Sequence, residues 1–394
     1  MSIRSRTGYS LPVIVFAQFA GTSLWFVGNA ILPELQPLLR APELTSWITS
    51  AVQIGFITGT LLYAILGIPD RFRSTYIFFV SVLLAAIANI SWLFFPVKAE
   101  SVLVSRFLTG FFLAGVYPVG MKIAADRFKT GLGQVMGFLV GALVLGTAFP
   151  HFVRGIGGQL PYRTLLLLVS LLAVGGGVLL TALVPATDPP PRARRFRVQA
   201  LVTLWKPSPF RPAMLGYFGH MWELYTLWAF LPLLITYVRQ QHPVGGLTDP
   251  LWAFGAIAAG ALGCVGGGYW SSRIGSTRVA RYLLTTSGLC ILLTPLLIRS
   301  PPLVFGLFLV IWGATAAGDS PQFSTLVARH APLEDRGSIL TLVTCFGFLL
   351  TVVSIQFMGW LVARTGISGW LFYSLLPGPL VGILALRRAA RSDG

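Results

Sequence analysis

The chain has 394 residues, 55% of them hydrophobic and only 10% charged, with a formal net charge of +17 and a mean hydropathy of +0.77. A water-facing surface needs about 25% charged residues, so a soluble enzyme, a disordered chain and a secreted disulfide scaffold are excluded. Apolar runs of about 20 residues recur along the whole length, each long enough to cross roughly 30 Å of hydrocarbon as a helix, and none shows the strand alternation of a transmembrane barrel.

Arg4 and Arg6 precede an apolar run from Leu11 to Leu32, which is too long for a signal-peptide core and is read as the first membrane helix. Cutting the chain at charged and Pro/Gly-rich breaks predicts six segments at 11–33, 44–66, 75–96, 101–124, 132–152 and 161–184, then six more at 210–238, 250–271, 279–298, 302–328, 338–361 and 367–386. The fold class expected is an all-α membrane protein of twelve transmembrane helices. Residues 1–184 form a first six-helix bundle, 185–209 a basic linker, and 210–394 a second bundle with a short tail. The linker carries DPPPRARRFRVQ, whose prolines rule out a crossing and whose arginines suit anionic headgroups.

Of the 29 Lys and Arg, twenty-one fall on the side of the N-terminus and the linker and seven on the other side, with Arg106 inside a segment. That bias places both termini in the cytoplasm. The positive charge therefore records topology, and no nucleic-acid partner is implied. Cys264, Cys290 and Cys345 lie inside apolar segments without metal-ligand spacing; they are read as small core residues, with no metal or cofactor.

Three ionisable residues lie within apolar segments: Arg106, Glu223 and Asp319. A charge near the bilayer centre costs at least about 2.5–3.5 kcal/mol, so such residues normally face a cavity or a partner. Glu223 follows Arg211 by 12 residues and Asp319 precedes Arg329 by 10, which places them about 18 and 15 Å from the cytoplasmic ends of helices seven and ten. Low dielectric disfavours the charged form of a carboxyl group, and a group that holds or releases a proton is what proton coupling requires. Gly318-Asp319-Ser320-Pro321 also reads as a kink, with Asp319 or Ser320 satisfying freed backbone donors. In GHMWELYTLW, His220 and Glu223 are three apart and share a face, with Trp222 and Tyr225 as cavity-wall candidates. Asn29, Gln53 and Gln322 are further cavity candidates, or interhelical hydrogen-bonding groups. No nucleophile and base pair up along the chain, so no enzyme is expected.

Two loops look related. The chain reads GIPDRFR from Gly67 to Arg73 between helices two and three, and GYWSSRIGSTR from Gly268 to Arg278 between helices eight and nine. This resembles the repeated loop signature of the major facilitator superfamily, matched by Gly67, Asp70, Arg71 and Arg73, then by Gly268, Arg273, Gly275 and Arg278. RFLTGFFLAG, from Arg106 to Gly115, resembles that family's arginine-plus-glycine helix. GLGQVMGFLVGALVLG in helix five partly resembles its antiporter motif, with Ala142 where that motif has proline. The resemblance implies two pseudo-symmetric bundles, a central cavity alternately open to each side, a monomer, and an inner-membrane secondary transporter of a small organic solute, coupled to protons. It makes the Asp70 loop a gating latch, and gives Arg106 a role in coupling or anion binding. Alternatives are a drug or metabolite efflux antiporter, proton-linked anion uptake and, from another class, a non-transporting membrane receptor.

Overall fold

In the computed structural model, residues 3–39, 43–128, 131–158, 160–185, 196–241 and 248–392 are described, with the backbone alone at 3–8 and 388–392. Arg40, Lys129, Arg192, Arg194 and Arg195 lie outside them. The described residues are all-helical. Eleven helices are long and apolar enough to cross a membrane. The twelfth crossing is the first in the chain. Its apolar stretch, Tyr9–Thr22, is shorter, and it resumes after a break as Val27–Ala30 and Leu32–Leu39.

Helices two to six are Leu44–Ile65, Ser74–Leu93, Ala99–Arg127, Leu132–Ile156 and Tyr162–Leu183. Helices seven to twelve are Arg211–Gln241, Asp249–Ile274, Ser276–Leu297, Pro302–His330, Arg336–Thr365 and Gly369–Arg387. Packing follows the same plan twice. Helix two packs on four, one on five and six, and three on four and six; eight packs on ten, seven on eleven and twelve, and nine on ten and twelve. Between the halves, helix five lies along eight and helix two along eleven. Side chains such as Leu171, Leu296, Leu307 and Val353 stay exposed on the periphery, as a lipid-facing surface requires.

Glycine sets the closest approaches. A Cβ on Gly110 of helix four would strike the Val52 carbonyl of helix two, and one on Gly263 of helix eight the Ala314 carbonyl of helix ten. Small residues at such crossings bring helix backbones together where lipid offers no hydrophobic drive.

Helices four and ten break at the same level. Helix four divides into Ala99–Leu113 and Tyr117–Arg127, and helix ten into Pro302–Gly318 and Ser320–His330. Each second half has 11 residues with proline at its start, Pro118 or Pro321, which removes a backbone donor and bends the helix. The break in helix ten matches the expected kink; the one in helix four is additional.

The two related loops are not equivalent in detail. Gly67 has φ +61°, a left-handed conformation that favours glycine. Gly268 has no such role: it lies inside helix eight, facing the Gly133 carbonyl, and the turn is made by Gly275 at φ +87°.

Gly110→Val is expected to cost about 1–3 kcal/mol through overpacking. Gly175→Ala, with open space around its Cβ position, is expected to leave stability unchanged or slightly raised. Thermal unfolding of the two purified variants checks both.

Candidate functional site

The site is built on the break in helix ten. Pro321 has no N–H to offer the Ala317 carbonyl, which instead accepts from the Cys264 thiol of helix eight at 3.3 Å and from the Asp319 amide. The amides of Asp319 and Ser320 lie beside the Asp319 carboxyl group, which makes no well-aligned cap to the half-helix that follows. It turns to helix seven, where Oδ1 lies 2.7 Å from His220 Nδ1, both side chains being 1% exposed. The contact has the distance of an ion pair without the angles of a hydrogen bond. One proton decides whether this pair is charged or not.

Glu223, one turn further along helix seven, is held differently. Its Oε1 accepts from Trp312 Nε1 of helix ten at 2.8 Å and from the Ser287 hydroxyl of helix nine. Both donors are neutral, so this buried acid pins three helices together without a counter-charge among the described residues. His220 and Glu223 share a helix face as expected, but each addresses its own partner.

A cavity of about 880 Å³ enters between the bundles from the end that carries the linker. Lys122, Arg329 and Arg336 line it with several Ser and Thr hydroxyls, and among its described lining residues there is no Asp or Glu. At its inner end Tyr117, Tyr217 and Ser320 also border a chamber of about 20 Å³, whose other walls include His220, Tyr225, Trp228 and Phe348. Beyond it, aromatic rings from helices one, two, seven and eleven close the path. Trp25 stacks on Phe348 at 5.5 Å, and Phe348 packs on Phe56 at 4.6 Å and Tyr225 at 5.2 Å. Gln356 of helix eleven ties this end to helix two, donating to Ser50 Oγ at 2.9 Å and accepting from Ser46. The molecule is open at the linker end and shut at the other.

The linker reaches the cavity mouth. Arg197 lies 2.9 Å from Glu334 and 3.1 Å from Asp335, and its backbone N–H donates to Ser338. Bonding to Glu334 and the nearby Asp335 charge hold its guanidinium above the usual range. Asp335 is thereby occupied, while Arg336 beside it keeps a buried Nε with no protein partner.

The other sequence candidates are spread out. Arg106 is fully buried in the first bundle, donating to Asn89 Oδ1 and to the carbonyls of Leu24 and Trp25. Those carbonyls lie in the break just after the first stretch of helix one ends at Thr22, near a helix C-terminus, where a cation is favoured. Asn29 donates to Thr49 at 2.8 Å. Trp222 faces away, donating to the Ser374 carbonyl of helix twelve at 2.9 Å. Gln53 and Gln322 are buried and line neither cavity; Tyr225 does line the chamber. Asp70 pairs with Lys122 of its own bundle at 3.1 Å, so it makes no link across the bundles in this open state. Arg71, Arg73, Arg273 and Arg278 lie on the surface.

The family model of the Major Facilitator Superfamily matches residues 14–355. The chain belongs to the major facilitator superfamily. It is a multi-pass membrane protein of a family of transporters, not enzymes. The crystal structure of the human organic anion transporter MFSD10 (TETRAN) is similar, with a TM-score of 0.74 and 15% sequence identity, covering 98% of this chain and 100% of that one. At that identity the likeness shows the fold. No curated protein matches the sequence.

Sequence reasoning missed most of the cavity lining. Lys122, Arg329 and Arg336 count as topology charges until the bundles are placed. Tyr217, His220, Leu224 and Trp228 recur at intervals of three and four and form one stripe of helix seven, a signal that was available.

Removing the Glu223 acceptor strands two buried donors, at about 1–3 kcal/mol each. Glu223→Ala is therefore expected to lower the unfolding temperature, while Glu223→Gln, which keeps a carbonyl acceptor, stays close to wild type.

Proposed function

We propose that the protein is a proton-coupled secondary transporter of a small organic anion, working by alternating access in an inner membrane. The observation that carries this reading is the buried His220–Asp319 pair beside the chamber at the inner end of the cavity. An imidazole and a carboxylate at that distance hold one proton more or less with little rearrangement. Rocking the bundles would expose the pair to each side in turn, as alternating access requires.

The basic bias of the linker end supports placing that end, and both termini, in the cytoplasm. The described state is then inward-open. An anion entering alone against an interior-negative potential costs about 2.3 kcal/mol per 100 mV; a proton carried with it cancels that term. The lining favours an anion over a cation, since Lys122, Arg329 and Arg336 meet no acid across the cavity. The human protein of similar fold named above is an organic anion transporter, which agrees with this reading. Export of cationic amphipathic drugs, suggested by the aromatic face of helix seven, is disfavoured by the same three cations. Countertransport of labelled solute in proteoliposomes separates a transporter from a membrane receptor.

In proteoliposomes given an inward acid gradient, wild type is expected to accumulate organic anions. Asp319→Asn is expected to lose accumulation while keeping solute exchange across the membrane. Accumulation by Asp319→Asn equal to wild type would overturn the coupling role. Arg336→Gln removes a charge-assisted contact and is expected to raise KM about tenfold, read from initial uptake rates.

A further inference from the structure

Resting on the transporter reading, we propose that the chamber is the seat of a flat organic acid, whose carboxylate is bound by the indole N–H of Trp228 between the starts of two half-helices. Trp228 is 0% exposed and lines the chamber, yet its Nε1 has no hydrogen-bond partner. Indole can only donate, and a buried unpaired donor is costly, so the complementary group is an acceptor.

Charge selects among acceptors. Tyr117 and Ser320 open the half-helices Tyr117–Arg127 and Ser320–His330, and both residues line the chamber. One half-helix start from each bundle therefore borders it, and helix starts favour negative groups. The acid beside the chamber, Asp319, has His220 Nδ1 at 2.7 Å, a counter-charge when the imidazole is protonated. Lys122, Arg329 and Arg336 line the route in from the cavity mouth.

Shape sets the rest of the molecule. A chamber of about 20 Å³ holds one group of roughly water size, so only the acid head enters it in this conformation. The body then lies at the neck, where Tyr117 and Tyr217 border both the chamber and the wide cavity. Two tyrosines at a neck suit a planar ring, which stacks on aromatic faces as an aliphatic chain does not.

Titration calorimetry on the purified full-length protein tests this with benzoate, benzamide, cyclohexanecarboxylate and gluconate. Benzoate is expected to bind about tenfold more tightly than benzamide, which lacks the charge, and than the two non-planar acids. Trp228→Phe keeps the ring and removes the N–H, and is expected to weaken benzoate about tenfold. Trp222→Phe, whose N–H serves Ser374, is expected to bind benzoate as wild type does. Unchanged benzoate affinity in a folded Trp228→Phe protein, or equal affinity for benzoate and benzamide, would overturn the assignment. Proton-driven uptake of gluconate unaffected by Trp228→Phe would also overturn it and leave proton-linked transport standing. No binding of any acid together with no proton-driven uptake would bring down both.

Discussion

Hydrocarbon offers neither hydrogen bonds nor counter-ions, so every broken helix and every charge inside this protein needs a partner from the chain itself. The structure meets that constraint locally. The carbonyl freed by Pro321 is met by the thiol of Cys264. The guanidinium of Arg106 is taken up by two carbonyls and Asn89 at the break in helix one. The Glu223 carboxylate receives an indole N–H and a hydroxyl. Each group is engaged by fixed neighbours, with Arg106 Nε alone of these atoms left unpaired, and each engagement joins helices that would otherwise meet only through apolar contacts. Against that background the His220–Asp319 contact stands apart: it is close, buried and poorly aligned.

The two halves share a plan and differ in chemistry. Helices four and ten have the same division into a longer and an 11-residue part, with proline at the start of the second. Immediately before that second part the first bundle has Val116 and the second has Asp319. The partner of Asp319 comes from helix seven. The first bundle contributes a cation, Arg106, that is spent on backbone carbonyls. The buried acids thus lie in the second bundle, while the first supplies the buried His151, Lys122, Tyr117 and the aromatic closure around Trp25 and Phe56.

The fold was legible because span length and loop charge are one-dimensional signals; each crossing lies within a few residues of its expected limits. The first crossing was the exception, since its break at Ser23–Phe26 carries no proline or charge to announce it. The site was legible only where a residue was out of place for lipid. Asp319, Glu223 and His220 violated the local environment and so declared themselves. Trp228 and Tyr217 did so only through their spacing with His220 on one stripe of helix seven, because an aromatic residue suits lipid, core and cavity equally and packing decides among them. Arg336 was hidden for the opposite reason: an arginine at a linker-side helix end is ordinary, and that its acidic neighbour Asp335 pairs with Arg197, more than a hundred residues away, shows only in the fold.

The seam between helices five and eight has a mechanical meaning. At Gly137 and Gly141 the backbone of helix five approaches the carbonyls of Cys264 and Ala261, and at Gly268 helix eight returns the approach toward Gly133. Between those glycines the surfaces are smooth, while toward the two ends the rings of Phe138 and Tyr269 and of Phe152 and Phe254 meet across the seam. For the rocking proposed above, the glycine stretch is the bearing, and the contacts that must part on the shut side are the stacked rings around Phe348 and the amide of Gln356. A transporter arranged in this way sets its speed by the strength of its gates, and can be retuned by a change at one gate residue without disturbing the seam on which the halves turn.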